Sequence, residues 1–284
     1  MNSQRFEYLS WAAIKSLTDR DRRCPACQSS GTHLVRRKYL VTSLWECDGC
    51  GLRFRTPKDD AADAREFYQH AYSQGFTTDC PSDEALSGLM ATSFAGTEKD
   101  FRVYIGLLNA LGLKAGDSLL DFGASWGYGS WQFRQAGFRV LSYEISKPRA
   151  EYARVKLACD MVESLDKLPG RVKCLFSSHV IEHLPDPNAI WEAAQKALTD
   201  DGTIVCFCPN GEPARESVLG VPLYDRSWGK VHPSLITPKF LETTSARHGF
   251  RAAVHSSPYR LDEVANGSRG SNVTGDELCL IARR

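Results

Sequence analysis

From Phe101 onward the chain alternates short apolar runs with stretches that are apolar at helical spacing. "FRVYIGLLNALGL" (101–113) follows a helical period and ends in a glycine-containing turn. "SLLDFG" (118–123) reads as a strand, Tyr128 to Ala136 as a helix and "FRVLSYE" (138–144) as a strand. Pro148 to Cys159 is helical, "DMVES" (160–164) a short strand, "VKCLFSSH" (172–179) a strand, Pro187 to Leu198 a helix and "TIVCFC" (203–208) a strand. Thr237 to His248 then reads as a helix, with "FRAAVHS" (250–256) and "DELCLIAR" (276–283) as strands. Alternation of this kind predicts an α/β fold with a mostly parallel sheet covered by helices on both faces. No convincing helix joins the last two strands, so an antiparallel edge is expected. Cys206 and Cys208 alternate along a strand and are expected in its buried core.

The first hundred residues differ in pattern. Residues 1–23 read as an amphipathic helical extension, with Phe6, Leu9, Ile14 and Leu17 on one side. Residues 24–57 are short, turn-rich and cysteine-bearing, and 58–100, including "DAREFYQHAYSQGF" (63–76), read as helix and linker. Residues 101–284 form the main domain. A chain of 284 residues suits one large domain plus a small one. Its 42% apolar fraction is enough for a sizeable core. A net charge of +1 sets up no global field for DNA or an anionic membrane. No run of 18 apolar residues suggests a span, and the N-terminus lacks a secretory pattern. A cytoplasmic chain with no membrane partner is expected.

Four of the ten cysteines are tightly paired, in "CPAC" (Cys24, Cys27) and "CDGC" (Cys47, Cys50). Two thiolates at that spacing grip one metal from a tight turn, and two such turns complete a tetrahedral four-thiolate site. A structural zinc is expected there. Between Arg20 and Lys58 lie nine basic residues (Arg20, Arg22, Arg23, Arg36, Arg37, Lys38, Arg53, Arg55, Lys58) against three acids. The excess reads either as a solvated face or as a contact for a phosphate-bearing substrate or RNA.

"LLDFGASWGYGSW" (119–131) places an acid and glycines where a strand turns into a helix. The glycine spacing, Gly123, Gly127 and Gly129, does not fit the dinucleotide pattern. Asp121 at the strand end would repel a pyrophosphate and attract an ammonium. Glu144 closes the next strand, where a carboxylate can take both ribose hydroxyls. S-adenosylmethionine carries both an ammonium and a ribose, and its sulfonium suits the same acid.

"DFGASWG" resembles the first motif of class I S-adenosylmethionine-dependent methyltransferases, (D/E)-x-G-x-G-x-G. Asp121, Gly123 and Gly127 match, and Ser125 replaces the middle glycine. "SSHVIEHLPDP" (177–187) is similar to the H-V-L-E-H-L-x-D-P segment of one branch, and "DGTIVCFCPN" to its fifth strand. "WECDGCGLRFRTP" (45–57) resembles the zinc knuckle preceding some bacterial members of that branch. The resemblance implies a Rossmann-like, mostly parallel seven-stranded sheet with an antiparallel last strand and a small N-terminal zinc module. It implies a cofactor set of Asp121, Gly123, Ser125, Gly127, Glu144, Glu163 and Ser178. A small-molecule, sugar or glycan-precursor acceptor is expected, with an RNA acceptor or a non-catalytic cofactor-binding module as alternatives.

His179, Glu182 and His183 share a face if they form one turn, and His232 comes later in the chain. The three histidines are the catalytic candidates, foremost His183 as general base. The resemblance equally allows a second divalent cation near Glu182 and His183, and a purely structural role stays open. Asp186 is expected to cap the following helix, with Pro187 in its first turn. The segment "GEPARESVLGVPLYDRSWGKVHP" (211–233) is expected to read the acceptor.

Overall fold

The computed structural model describes residues 3–60, 63 and 79–284. The expected helix over 63–76 lies, Asp63 apart, outside the described residues. The chain opens with helix α1 (Ser3–Thr18) and three antiparallel strands, β1 (Thr32–Lys38), β2 (Thr42–Cys47) and β3 (Arg53–Thr56). Helices α2 (Asp83–Ala91) and α3 (Arg102–Ala110) lead into the larger sheet. Its parallel strands are β4 (Ser118–Phe122), β5 (Arg139–Tyr143), β6 (Asp160–Met161), β7 (Val172–Ser178) and β8 (Leu198–Pro209). Between them run α4 (Tyr128–Gln135), α5 (Lys147–Leu157) and α6 (Ala189–Ala197). The rest comprises α7 (Arg215–Leu219), α8 (Val221–Tyr224), β9 (Ser234–Leu235), α9 (Pro238–Arg247), β10 (Arg251–Ser256), α10 (Leu261–Ala265) and β11 (Glu277–Arg283).

The large sheet has seven strands in the order β10-β11-β8-β7-β4-β5-β6. This is the expected Rossmann-like α/β sheet, with its last strand antiparallel. β11 enters between β8 and β10 and is antiparallel to both, so β10 is the edge. Strand alternation explains the two covered faces. Leu119, Cys174, Phe176, Val205, Phe207, Cys279 and Ile281 enter one core with α3, α4 and α10. Leu120, Leu175, Ile204, Cys206, Cys208, Leu278 and Leu280 enter the other with α6 and α9. Chain order reverses at β4, whose neighbours are β5 and β7, and this opens a crevice outside the carboxyl ends of β4 and β7.

Three local expectations are corrected. "DMVES" forms only two paired residues, because β6 is an edge strand that meets β5 at Leu141↔Asp160 and Ser142↔Met161. Helix α6 starts at Ala189 behind Asn188, and Asp186 instead accepts the Asn188 backbone N–H at 2.9 Å. Helix α1 turns the other way: Tyr8 and Ala12 are buried, whereas Phe6, Ile14 and Leu17 are 60%, 69% and 75% exposed. Tyr8 and Trp11 lie 5.7 and 5.1 Å from the buried Arg55 guanidinium, so a cation–π contact selects the inward face.

The small sheet is not made by the N-terminal segment alone. Its order is β1-β2-β3-β9, and β9 is contributed from beyond β8. Cys24, Ala26, Cys47, Cys50, Leu52 and Phe54 share one core with Ile181, Trp191, Ile236 and Phe240. Among the described residues no helix is long and apolar enough to cross a membrane.

Candidate functional site

Strand β4 ends in a turn that only an unusual backbone can make. Gly123 has φ +86°, and a Cβ there would stand 2.3 Å from Val180 Cγ2. Gly127 has φ +90°, and a Cβ there would stand 2.8 Å from both Ala153 Cβ and Cys159 Sγ. Ser125, which replaces a glycine, also lies in the left-handed region at φ 51°. The Gly123 and Ala124 N–H groups both donate to the Tyr143 carbonyl, at 2.8 and 2.9 Å, which ties this loop to the end of β5.

Two carboxylates lie near this tie, Asp121 buried and Glu144 half-buried. Glu144 accepts the Ser125 N–H at 2.8 Å and the Ser146 N–H at 2.7 Å. The Ile145 N–H also favours the ionised carboxylate, and a carboxylate offers about four acceptor positions, more than these amides fill. Asp121 Oδ2 accepts from the Ser130 hydroxyl at 2.6 Å, and Ser142 Oγ stands 2.8 Å from Ser130 Oγ. Burial pushes the Asp121 carboxyl up to about 7, and the charge of Glu144 adds to the rise. Burial raises Glu144 as well, against its backbone hydrogen bonds and Arg149. The Ser125 hydroxyl is buried with no hydrogen-bond partner among the described residues. A buried acid beside a second acid is costly without a cation. A ligand with an ammonium and a ribose diol fits this donor and acceptor set. Of the remaining predicted cofactor residues, Glu163 is exposed just beyond β6, and Ser178 bonds the Tyr104 hydroxyl.

The end of β7 carries the histidines. His179 has φ 54° and is not helical; a single 3-10 turn follows at Ile181–His183. The turn still brings His179 Nδ1 to 3.5 Å and His183 Nε2 to 3.8 Å from Glu182 Oε1. His179 Nε2 is 2.7 Å from Glu277 Oε2, at the start of β11. Burial pulls His179 down, but hydrogen bonds to Glu182 and Glu277 overcome this and raise it to about 10. Two carboxylates flank the His179 ring and favour its imidazolium form. Glu277 also accepts from Tyr104 and Tyr259, at 2.9 and 2.5 Å. No sequence motif marks Glu277, Tyr104 or Tyr259; only their polar heads in apolar surroundings hint at them.

His183 is different. Its Nδ1 lies 2.7 Å from the Val231 carbonyl, an acceptor only, so Nδ1 carries the proton and Nε2 the lone pair. Burial holds it down at about 4, despite the Glu182 carboxylate. His232 packs edge-on against it, with ring centroids 4.7 Å apart. Ligand atoms of Glu182, His183 and His232 all lie within 4.8 Å of one another. Both Glu182 oxygens are buried, and the contacts to Oε1 from His179 and His183 are long, at 3.5 and 3.8 Å.

The four paired cysteines converge. Cys24 and Cys50 Sγ are 3.6 Å apart, Cys27 and Cys47 Sγ 3.5 Å, and all four lie within 4.8 Å of one another. Thiolates about 2.3 Å from a tetrahedral zinc stand about 3.8 Å apart, so the donor set fits. Each knuckle closes on a left-handed residue: Gln28 N–H donates to Cys24 O at 2.9 Å and Gly51 N–H to Cys47 O at 2.8 Å. The basic excess around them is largely used within the fold. Arg36 pairs with Glu216 and Asp225, Arg53 with Glu46, Arg55 with Asp59, and Lys58 with Asp21, which Arg23 also meets. Lys38 Nζ donates to the Asp225 and Trp228 carbonyls at 2.6 and 2.8 Å.

A methyltransferase-domain family model matches residues 97–255, more than half of the 284-residue chain. The chain belongs to this family and is an S-adenosylmethionine-dependent methyltransferase. A solved S-adenosylmethionine-dependent methyltransferase from Clostridium acetobutylicum shares the fold at 9% identity and TM-score 0.50, over 70% of this chain and 96% of that one. A TehB-like enzyme from Corynebacterium glutamicum aligns at 18% identity and TM-score 0.49, over 71% of this chain and 95% of that one. An S-adenosylmethionine-dependent methyltransferase from Archaeoglobus fulgidus aligns at 17% identity and TM-score 0.47, over 72% and 100%. No curated protein matches the chain in sequence.

Proposed function

We propose that this methyltransferase acts on a hydroxyl of a small-molecule, sugar or glycan-precursor acceptor, with His183 as general base. S-adenosylmethionine, when bound, supplies the methyl group on its sulfonium. Glu144 would hold the ribose hydroxyls, and Asp121 would face the ammonium, with the Gly123–Gly127 turn leaving room for both. The methyl would pass to the acceptor oxygen, and the cofactor would leave as a neutral thioether. His183 Nε2 receives the hydroxyl proton, and the Glu182 carboxylate stabilises the imidazolium that forms.

The observation that carries this reading is the fixed tautomer: Val231 O holds the proton on Nδ1 and leaves Nε2 as a base. Internal pairing of the module's basic side chains favours a small acceptor over RNA. Methyl transfer from labelled cofactor to sugar nucleotides, phenolics and RNA identifies the acceptor class. On that acceptor, His183→Ala is expected to slow turnover about 10²–10⁴-fold, the usual worth of a positioned base. Cofactor affinity should stay near wild type. Wild-type turnover in that variant would remove His183 from the mechanism.

A second reading of the same side chains is favoured by the convergence of Glu182, His183 and His232, whose ligand atoms lie within 4.8 Å of one another. A divalent cation held by Glu182, His183 and His232 would polarise the acceptor oxygen. Turnover abolished by a chelator and restored by a divalent cation, with Glu182→Gln and His232→Ala equally inactive, selects the cation.

A further inference from the structure

The four-cysteine module touches the methyltransferase domain at the backbone that carries the acceptor-side histidines. Strand β3 begins two residues beyond Gly51, the close of the second knuckle, and pairs with β9 at Arg53↔Leu235 and Phe54↔Ser234. The Arg55 N–H donates to the Pro233 carbonyl at 2.8 Å. These three ties fix residues 233–235, immediately after His232. Directly before His232 is Val231, whose carbonyl sets the His183 tautomer. The Arg53 side chain bonds the Tyr224 hydroxyl and, at 2.7 Å, Glu46 Oε2, so it joins β2 and β3 to the segment leading to Val231. The knuckles are themselves anchored. Thr237 Oγ1 donates to Gly51 O at 3.0 Å, Lys239 Nζ to Asp48 O at 2.8 Å, and Asn188 Nδ2 to Ala26 O at 2.8 Å. Ile181, next to Glu182, packs in the same core as Cys24, Cys47 and Cys50. Among the described residues, the backbone N–H groups of Gly123, Ala124, Ser125 and Gly127 in the cofactor turn bond to Tyr143, Glu144 and Ala124 instead.

We propose that the four-cysteine module, closed by its metal, is a positioning element for methyl transfer: through β3 and Arg53 it holds Val231–Leu235 so that His183 and His232 face the acceptor. The proposal rests on the reading of these histidines as acceptor-side groups. The tie itself can be read without that assumption, because exchange and imidazole signals report it whatever His183 does.

The experiment compares wild type with Arg53→Gln, which keeps all four cysteines, and with Cys47→Ser, which opens the knuckle. Hydrogen exchange, imidazole ¹⁵N spectra, zinc content and S-adenosylmethionine affinity are measured on the full chain. In Arg53→Gln, amide exchange over residues 229–237 should rise by about tenfold, while residues 118–144 stay protected. The single-tautomer signal of His183 should broaden or move toward a mixture. In Arg53→Gln, zinc content and cofactor affinity should stay within about twofold of wild type; Cys47→Ser should lose zinc and show the exchange and imidazole changes more strongly. Unchanged exchange and an unchanged His183 signal in Arg53→Gln would overturn the proposal. So would a loss of cofactor binding in Arg53→Gln as large as the change at 229–237, because the module would then support the whole sheet. If the tie is confirmed yet His183→Ala keeps full turnover, the base assignment fails while the positioning contact stands.

Discussion

Asp121 is a buried acid that feels the charge of Glu144, so its ionisation is coupled to folding and to any cation that binds beside it. The folded Asp121 carboxyl sits at about 7, above its ordinary 3.8. Between those values the native state keeps a proton that the unfolded chain has released, so stability falls as pH rises through that window. Asp121→Asn removes the titration while keeping an acceptor for Ser130. Urea unfolding of the cofactor-free proteins should show a smaller loss of stability from pH 5 to pH 8 in the variant than in wild type, and equal losses would show that Asp121 ionises freely in the fold. The same variant should bind S-adenosylmethionine more weakly at pH 8. Glu144→Ala removes a charged acceptor for the ribose and should weaken cofactor binding by about 1.5–3 kcal/mol, measured by calorimetry. An affinity equal to wild type, in a variant that folds, would take Glu144 out of the site.

At the scale of elements, helix α1 shows how a contact overrides a pattern. Its apolar residues are spread around the helix, and the cation–π contact with Arg55 decides which ones face inward. Ala12 is fully buried, so Ala12→Leu is expected to overpack the contact and cost about 1–3 kcal/mol. Ile14→Ser and Leu17→Ser should change stability by no more than about 0.5 kcal/mol. Denaturant midpoints measure both, and a large loss from the outer pair alone would reverse the assigned face. The 3-10 turn at Ile181–His183 is a second case. Helical spacing predicts His179, Glu182 and His183 on one face; they meet instead through a left-handed His179 followed by the 3-10 turn, with a carboxylate on β11 holding the His179 ring.

For the whole molecule, the paired cysteine turns and the methyltransferase sheet pack into one shared core. Purified protein is expected to hold about one zinc per chain by metal analysis, the content of a closed four-thiolate site. Mutually close cysteines with no metal would leave the convergence of the four sulfurs without its proposed cause. The positive charge that marks residues 20–58 in the sequence belongs to this assembly too. Arg36, Arg53 and Lys38 meet Glu216, Asp225, Tyr224 and Trp228, all from the segment after β8.

Features set by neighbours along the chain are legible in the residues themselves. Strand and helix periods yield the α/β order, because alternation along β7 and β8 reflects two covered faces. The C-x-x-C spacing brings each cysteine pair together, because a tight turn fixes that distance locally. Asp121 and Glu144 stand at consecutive strand ends because each closes its own apolar run. What depends on distant partners is decided only by tertiary structure. Glu277 reaches His179 across 98 positions and Tyr104 across 173. The inward face of α1, the pairing of β9 with β3 and the neutralised arginines have the same origin. No local period encodes which of several apolar faces, edges or charges will meet. His183 combines both: its type and place are visible in "HVIEHLPDP", whereas its tautomer depends on a carbonyl 48 positions away, which only the fold brings near.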